Sequence, residues 1–308
     1  MQTGGTQRRA DRVGAAPTSD DIARALGRYS IEATFPDRAE LEALKAAVPA
    51  ATHIYLSCPP NQPPERLVEY AVAVRDSGFE PVPHLTARAY ADAAHVERVL
   101  ALLTREAGVT RALVIAGDRD TQAGVFAGAL DLIESGVLEQ SGIREVGISG
   151  YPDGHPKIDD AMLTRVLVEK LAAAQRRDLA VHVTTQFCFD ADPILTWLRW
   201  LRGEGIDALV RVGVAGPTSM RALVRYALRC GVRASLKGAL NPNAMRLLGE
   251  AAPDGIIRAL SEADDRAKLG PFAIHFFSFG GLAATAEWAQ GAARGQVEFT
   301  PQGFRVLR

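Results

Sequence analysis

From residue 28 onward, short β-branched runs alternate with longer segments of helical period, and this alternation constrains the fold more than any other feature of the chain. It is the pattern of parallel strands joined by crossover helices. The runs are YSIEATF (29–35), HIYLSC (53–58), PVPHLT (81–86), RALVIAGD (111–118), EVGISGY (145–151), AVHVTTQFCF (180–189), ALVRVGVAG (208–216) and FAIHFFSFG (272–280). Eight βα units are the repeat number of the closed (β/α)8 TIM barrel, an α/β fold of typically about 250 residues. The expectation is one barrel domain over 21–308, with a helical insertion at about 233–270 before strand eight. An open doubly wound sheet is the alternative, but it advertises itself by G-x-G-x-x-G after its first strand, and none follows residue 35.

Composition removes several classes of function. With 35 basic and 36 acidic side chains the formal charge is -1, so there is no basic face for a nucleic acid. Cys58, Cys188 and Cys230 are too scattered for a disulfide framework or a paired C-x-x-C zinc site, which points to a reducing cytoplasm. No window supplies the roughly 18–20 apolar residues that span a membrane. Residues 1–20 are polar and read as a frayed tail, the rival being an Arg-bearing transit peptide without a clear amphipathic face. His53, His95 and His182 have no ligand-like neighbour in sequence, so no metal site is expected. Trp197 and Trp200, three apart on a helix, form an apolar stripe that packs on the barrel or on a partner subunit, and the chain is compatible with a homo-oligomer.

The site of a (β/α)8 barrel lies at the carboxyl ends of its strands, so polar residues there are candidates in proportion to how poorly they fit an apolar run. Glu32 stands inside YSIEATF, where burial raises a carboxyl pKa toward the value a general acid needs. A structural ion pair with a buried Arg or Lys is the competing reading. Ser57 ends strand two, His84 and Thr86 end strand three, Gly117 and Asp118 follow strand four, Tyr151 and His155 follow strand five, and Gln186 lies near the end of strand six. Asp118 is equally suited to capping a turn, and Gln186 and His84 to being satisfied core residues. There is no G-x-S-x-G elbow, Walker loop or H-E-x-x-H.

Taken in order, SIEATFP, PHLTA, AGD, GYPDGHP, TTQFCFD and HFFSF resemble the methylenetetrahydrofolate reductase family over about residues 28–290. The resemblance implies a barrel on which FAD passes hydride from NADH or NADPH to a tetrahydrofolate derivative, 5,10-methylenetetrahydrofolate, giving 5-methyltetrahydrofolate. It also implies a place in one-carbon metabolism. It casts Glu32 as the general acid that protonates N10 and opens the imidazolidine ring, and Asp118 as a carboxylate beside the flavin and pterin. Gln186 becomes the amide that binds the pterin, and Tyr226 an aromatic against nicotinamide or folate. Ser57, His84, Tyr151 and His155 match flavin-contacting positions, with Thr86 and Gly117 beside them.

Three departures from the family pattern bear on the flavin. Ala116 replaces the arginine of Arg-Gly-Asp, Gly280 and Gly281 replace a polar pair after strand eight, and Gln175 replaces a lysine. The nearest remaining cations are Arg165, Lys170, Arg176 and Arg177. Each change removes or displaces charge where flavin phosphate or ribose would sit, so looser flavin binding or hydride transfer without flavin stands beside tightly bound FAD. A folate-binding paralogue without redox activity, and a folate oxidoreductase running oxidatively during demethylation, are the alternative functions.

Overall fold

The computed structural model describes residues 17–230, 250–263 and 266–307. Eight parallel strands close into a barrel. In chain order they are β1 (Ser30–Ala33), β2 (His53–Leu56), β3 (Glu80–Thr86), β4 (Arg111–Ile115), β5 (Glu145–Gly150), β6 (Ala180–Thr185), β7 (Leu209–Ala215) and β10 (Phe272–Phe277). The ring closes where Ser30, Ile31 and Glu32 of β1 pair with His275, Phe276 and Phe277 of β10. Two residues pair as β8 (Thr218–Ser219) and β9 (Glu250–Ala251) outside the ring. The expected (β/α)8 TIM barrel is the observed architecture.

The helices begin and end where local chemistry dictates. Asp37 accepts from the Glu40 amide and Glu40 reaches back to the Asp37 amide, a capping box that opens α2 (Arg38–Ala47). After α3 (Arg66–Asp76), Asp92 caps α4 (Ala93–Ala107), which stops at Gly108 in the left-handed region, φ 59°. The helix expected near 124–135 is two short ones, α5 (Ala129–Glu134) and α6 (Val137–Gln140), broken at Gly136, φ 80°. Asp159 caps α7 (Asp160–Arg176), and α8 (Ala191–Gly203) and α9 (Met220–Cys230) follow β6 and β7.

Two features add to the sequence reading, and a third, the helical insertion, lies partly outside the described residues. A helix, α1 (Ser19–Ala25), precedes the barrel and starts inside the stretch expected to be tail, because Thr18 and Asp21 cap it and Ile22 is fully buried. Of the expected insertion, residues 231–249 and 264–265 lie outside the described residues, and the remainder includes α10 (Asp254–Glu262) and α11 (Arg266–Leu269). After α12 (Leu282–Ala293), a hairpin of β11 (Val297–Phe299) and β12 (Phe304–Val306) returns, stacking Phe304 on Trp288 at 5.6 Å.

Alternation along the strands sorts two environments. Ile31, Ile54, Leu56, Leu85, Val114, Val146, Ile148, Val183, Val210, Val212, Ile274 and Phe276 belong to one continuous apolar core shared with the helices. The residues between them point into the barrel, and their apolar share is a small cluster of Tyr55, Val82 and Leu113 with Ile115 against it. Much of the remaining interior is polar, with Ser30, His53, His84, Arg111, Glu145, His182, Arg211 and His275, in contrast to the branched aliphatic residues that usually fill a TIM barrel.

Candidate functional site

Side chains from opposite walls meet inside the barrel. Tyr55 of β2 hydrogen-bonds His182 of β6 at 2.7 Å between Oη and Nε2, across half the ring. Glu145 binds both His182 Nδ1 at 2.7 Å and Arg111 at 2.8 Å. Arg111 continues to His53 Nε2 at 2.9 Å, and His53 Nδ1 meets Arg211 Nη2 at 2.8 Å. Arg211 Nη1 donates to Ser30 Oγ at 3.2 Å, and Ser30 Oγ bonds His275 Nδ1 at 2.9 Å. Burial disfavours charge on Glu145, but the His182 and Arg111 hydrogen bonds outweigh it and hold the carboxyl down at about 2.

Glu32 sits above this network. Its side chain keeps 19% of its surface exposed, so it is open toward the mouth rather than sealed. Oε2 lies 3.7 Å from His84 Nε2 and 3.7 Å from His275 Nε2. Both imidazole nitrogens are buried without a hydrogen-bond partner. Among the described residues no guanidinium or ammonium lies within 4.0 Å of the carboxyl group, so the competing ion-pair reading with Arg or Lys has no support. Burial drives the Glu32 pKa upward, and the neighbouring His84 opposes that only in part. Burial likewise keeps His84 low. Burial and the charge of Arg211 hold His275 well below the usual histidine range. Burial thus works against charge on all three groups.

Other expected residues gather at the same end. Gly117 takes φ 88°, and a side chain there would meet Thr86 Cβ at 2.9 Å, so the turn that presents Asp118 is packed on Thr86. Asp118 is exposed, and its carboxylate adds to burial in pushing up the phenol of Tyr151, which also bonds Ser149. Tyr151 meets the ring of His155 edge-on at 5.2 Å. Ser57 Oγ and Thr34 Oγ1 share a 2.6 Å hydrogen bond beyond the ends of β2 and β1. Gln186 Oε1 accepts from the Phe187 amide at 3.1 Å, which fixes the orientation of its side-chain amide. Tyr226 stacks on Phe279 at 4.2 Å, and Phe277 and Phe187 extend that aromatic wall.

The expected cations lie elsewhere. Arg165 is 62% exposed and leans toward Glu169 at 3.8 Å. Lys170 is buried, donates to Ser149 at 3.2 Å, and is drawn down to about 8 by burial. A cleft of about 400 Å³ between α7 and α8 is bordered by Asp153, Asp160, Leu163, Leu167, Trp197 and Trp200, an acidic and apolar wall. Trp197 and Trp200 are therefore cleft walls as well as packing. Arg88 and Arg119 give donors to the backbone carbonyls of Ala127 and Pro60. At the other departure, a side chain on Gly280 would collide with the Pro217 carbonyl, so the chain passes too close there for the polar residue of the family pattern.

Sequence reasoning passed over Ser30, Tyr55, Arg211 and His275. Period-two counting from Glu32 marks Ser30 as inward-facing, whereas Tyr55, Arg211 and His275 lie on other strands and are brought to it only by strand pairing. Among the described residues no cluster of His, Cys, Asp and Glu is arranged to hold a metal ion. No helix among them is long and apolar enough to cross a membrane.

A solved GH18 chitinase from Pseudoalteromonas aurantia is 12% identical, with a TM-score of 0.49 over 86% of this chain and 99% of that one. The family model described as methylenetetrahydrofolate reductase matches residues 65–242, a span that holds His84, Asp118, Tyr151 and Gln186 while Glu32 and His275 lie outside it. That span is more than half of the 308 residues, and this chain belongs to the methylenetetrahydrofolate reductase family, a family of folate one-carbon oxidoreductases.

Proposed function

We propose that this protein reduces 5,10-methylenetetrahydrofolate to 5-methyltetrahydrofolate with hydride originating on NADH or NADPH, and that Glu32 supplies the proton. The observation that carries this reading is the protonation bias of Glu32: a carboxyl group open to the barrel mouth, raised by burial and flanked by neutral imidazoles rather than by a cation.

In this reading the Glu32 proton goes to N10 of the bound folate, the C–N10 bond breaks, and the methylene carbon becomes an iminium joined to N5. Hydride adds to that carbon to give the methyl group, and the nicotinamide leaves oxidised. Gln186 offers the pterin a donor and an acceptor, the capability an amide has and a carboxylate lacks. Asp118 stands beside it as a hydrogen-bond acceptor, and the wall of Tyr226 and Phe279 stacks a flat ring and keeps water from the iminium. FAD is the flavin expected from the resemblance. The described residues do not fit its diphosphate, because Arg165 leans to Glu169, Lys170 is held by Ser149, and the nearby cleft is bordered by Asp153 and Asp160.

The test is oxidation of NADH or NADPH by the purified protein, dependent on methylenetetrahydrofolate, together with its visible absorption spectrum. Turnover lost by a factor of about 10²–10⁴ in Glu32→Gln, with the fold retained, is the expected result. Near-normal turnover by that variant removes the acid role. Tetrahydrofolate binding without turnover under either nucleotide, with flavin added, supports a folate-binding paralogue instead.

A further inference from the structure

His53 is offered more hydrogen-bond donors than it can accept. Arg211 Nη2 lies 2.8 Å from its Nδ1, and Arg111 Nη1 lies 2.9 Å from its Nε2. A guanidinium only donates, and a neutral imidazole has one accepting nitrogen and one N–H. One of the two contacts therefore sets N–H against N–H. Protonating the ring would spoil both, and burial together with the charges of Arg211 and Arg111 holds His53 down at about 4. The lone pair belongs with Arg211. That guanidinium is 5% exposed, leaves its Nε without a partner, and has no carboxylate within 4.0 Å among the described residues, whereas Arg111 already binds Glu145. Its other neighbours, Ser30 and the Tyr55 ring, bring no negative charge. With Nδ1 accepting from Arg211, the ring hydrogen stands on Nε2 and points at the Arg111 donor, a tautomer assigned from the hydrogen-bond network.

Charge is out of balance at the same place. Around His53 stand Arg211 of β7, Arg111 of β4, Glu145 of β5, His182 of β6 and Glu80 of β3, the last paired with Arg75 of α3. Burial keeps His182 low and Glu145 is ionised, so three guanidinium groups face two carboxylates and one positive charge is left over. A buried cation without a counter-ion is costly. His53, Glu80, Arg111 and Glu145 are the first residues of their strands, which sets the cluster at the amino-terminal mouth of the barrel, opposite the strand ends that carry the reaction site. Arg111 and Glu145 keep 25% and 23% of their side-chain surfaces exposed, so solvent ions reach it. We propose that this mouth is a binding site for one small monovalent anion of the halide class, held by the Nε2–H of His53 and the Nη1–H of Arg111, with Arg211 behind His53 supplying the charge that the anion balances. The two nitrogens part to let the anion take both hydrogens. A single negative charge completes the balance, whereas a dianion such as phosphate would exceed it beside Glu145 and Glu80. The site is independent of the folate reading.

Two measurements on the full chain test the site. The first is the melting temperature near pH 8 at constant ionic strength, with sodium gluconate exchanged stepwise for sodium chloride. The wild type should rise saturably by roughly 2–4 °C. Arg211→Met, which removes the surplus charge, should lose the chloride response and melt in gluconate no lower than the wild type, because an apolar chain in place of an uncompensated buried cation removes a cost. The second is diffraction from wild-type crystals soaked in sodium bromide, which should give an anomalous peak in contact with both His53 and Arg111. Equal melting in the two salts with no bromide peak there overturns the proposal. A peak without a chloride response is binding at crystal concentration only, and a chloride response without that peak, or one that persists in Arg211→Met, belongs to another part of the surface; each overturns it as well. Should Arg211→Met not fold, the bromide peak and the nitrogen-15 NMR spectrum of the wild-type histidines, six in number, decide the question. His53 should be neutral with its hydrogen on Nε2, and a hydrogen on Nδ1 removes the donor on which the anion depends.

Discussion

Glu32 of β1 and His84 of β3 face each other inside the mouth of the barrel, Oε2 to Nε2 at 3.7 Å, with His84 buried and Glu32 partly open. The pair is not a simple ion pair. Burial works against the charged form of both partners, raising the acid and lowering the base.

The raised carboxyl predicts a stability change that runs opposite to the activity change. A folded pKa above 4.5 gives stability that is complete below 4.5 and lost as pH rises through the folded value. Glu32→Gln stays neutral throughout, so it should melt higher than the wild type at pH 8 by roughly 2–4 °C, and the difference should close near pH 4. Melting curves at both pH values check this. A variant less stable at pH 8 would mean that the carboxylate is held by a favourable contact.

The interior histidines predict the acid limb of stability. His53, His84, His182 and His275 are all lowered below 6.5, each by burial first, and His53 falls to about 4. Their contribution is therefore present above 6.5 and lost as pH falls through the folded values. The melting temperature should drop steeply between pH 6.5 and 4, and His53→Gln should flatten part of that drop. A melting temperature constant across this window contradicts the assignment.

Gly117 predicts a coupled loss of stability and substrate binding. Alanine there must adopt φ 88° and press on Thr86 Cβ at 2.9 Å, at a cost of about 1–3 kcal/mol. Because the same turn carries Asp118, KM for the folate should rise in Gly117→Ala even at temperatures where the variant is fully folded. Steady-state kinetics beside a thermal melt separate the two effects.

Phe279 predicts a binding defect without an acid–base defect. It stacks on Tyr226 at 4.2 Å, nearly parallel, and an aromatic pair contributes about 0.5–1.5 kcal/mol. Phe279→Ala should therefore raise KM for the nicotinamide or the folate by about two- to tenfold, with the alkaline limb of kcat unmoved. A shift of that limb would place Phe279 in contact with the acid itself.

Much of this was legible before any coordinates. Seven of the eight strand segments contain the observed strands and the third misses only Glu80, because period-two and period-3.6 hydrophobicity record which faces must leave water. Gly108 ends its helix as expected, since glycine takes the left-handed cap at little cost. Glu32, His84 and Asp118 stood out because each is a polar residue where an apolar strand or its end should be. Ser30, Tyr55 and His275 did not stand out. A hydroxyl, a phenol and an imidazole are individually unremarkable within a strand, and their partners are 245 residues away for Ser30 and 127 for Tyr55.

The amino-acid sequence by itself determined the barrel and the ring of strand ends on which the polar residues stand, because hydrophobic period and strand count are local properties that survive without knowledge of contacts. Only the tertiary structure decided that Glu32 faces two imidazoles instead of a guanidinium, that Arg211 bonds Ser30 and has no carboxylate within 4.0 Å among the described residues, and that Arg165 leans to Glu169 while Lys170 is buried against Ser149. Those outcomes depend on distance and burial across a closed ring, and a carboxyl group acquires its proton affinity from neighbours that closure brings to it rather than from residues beside it in the chain.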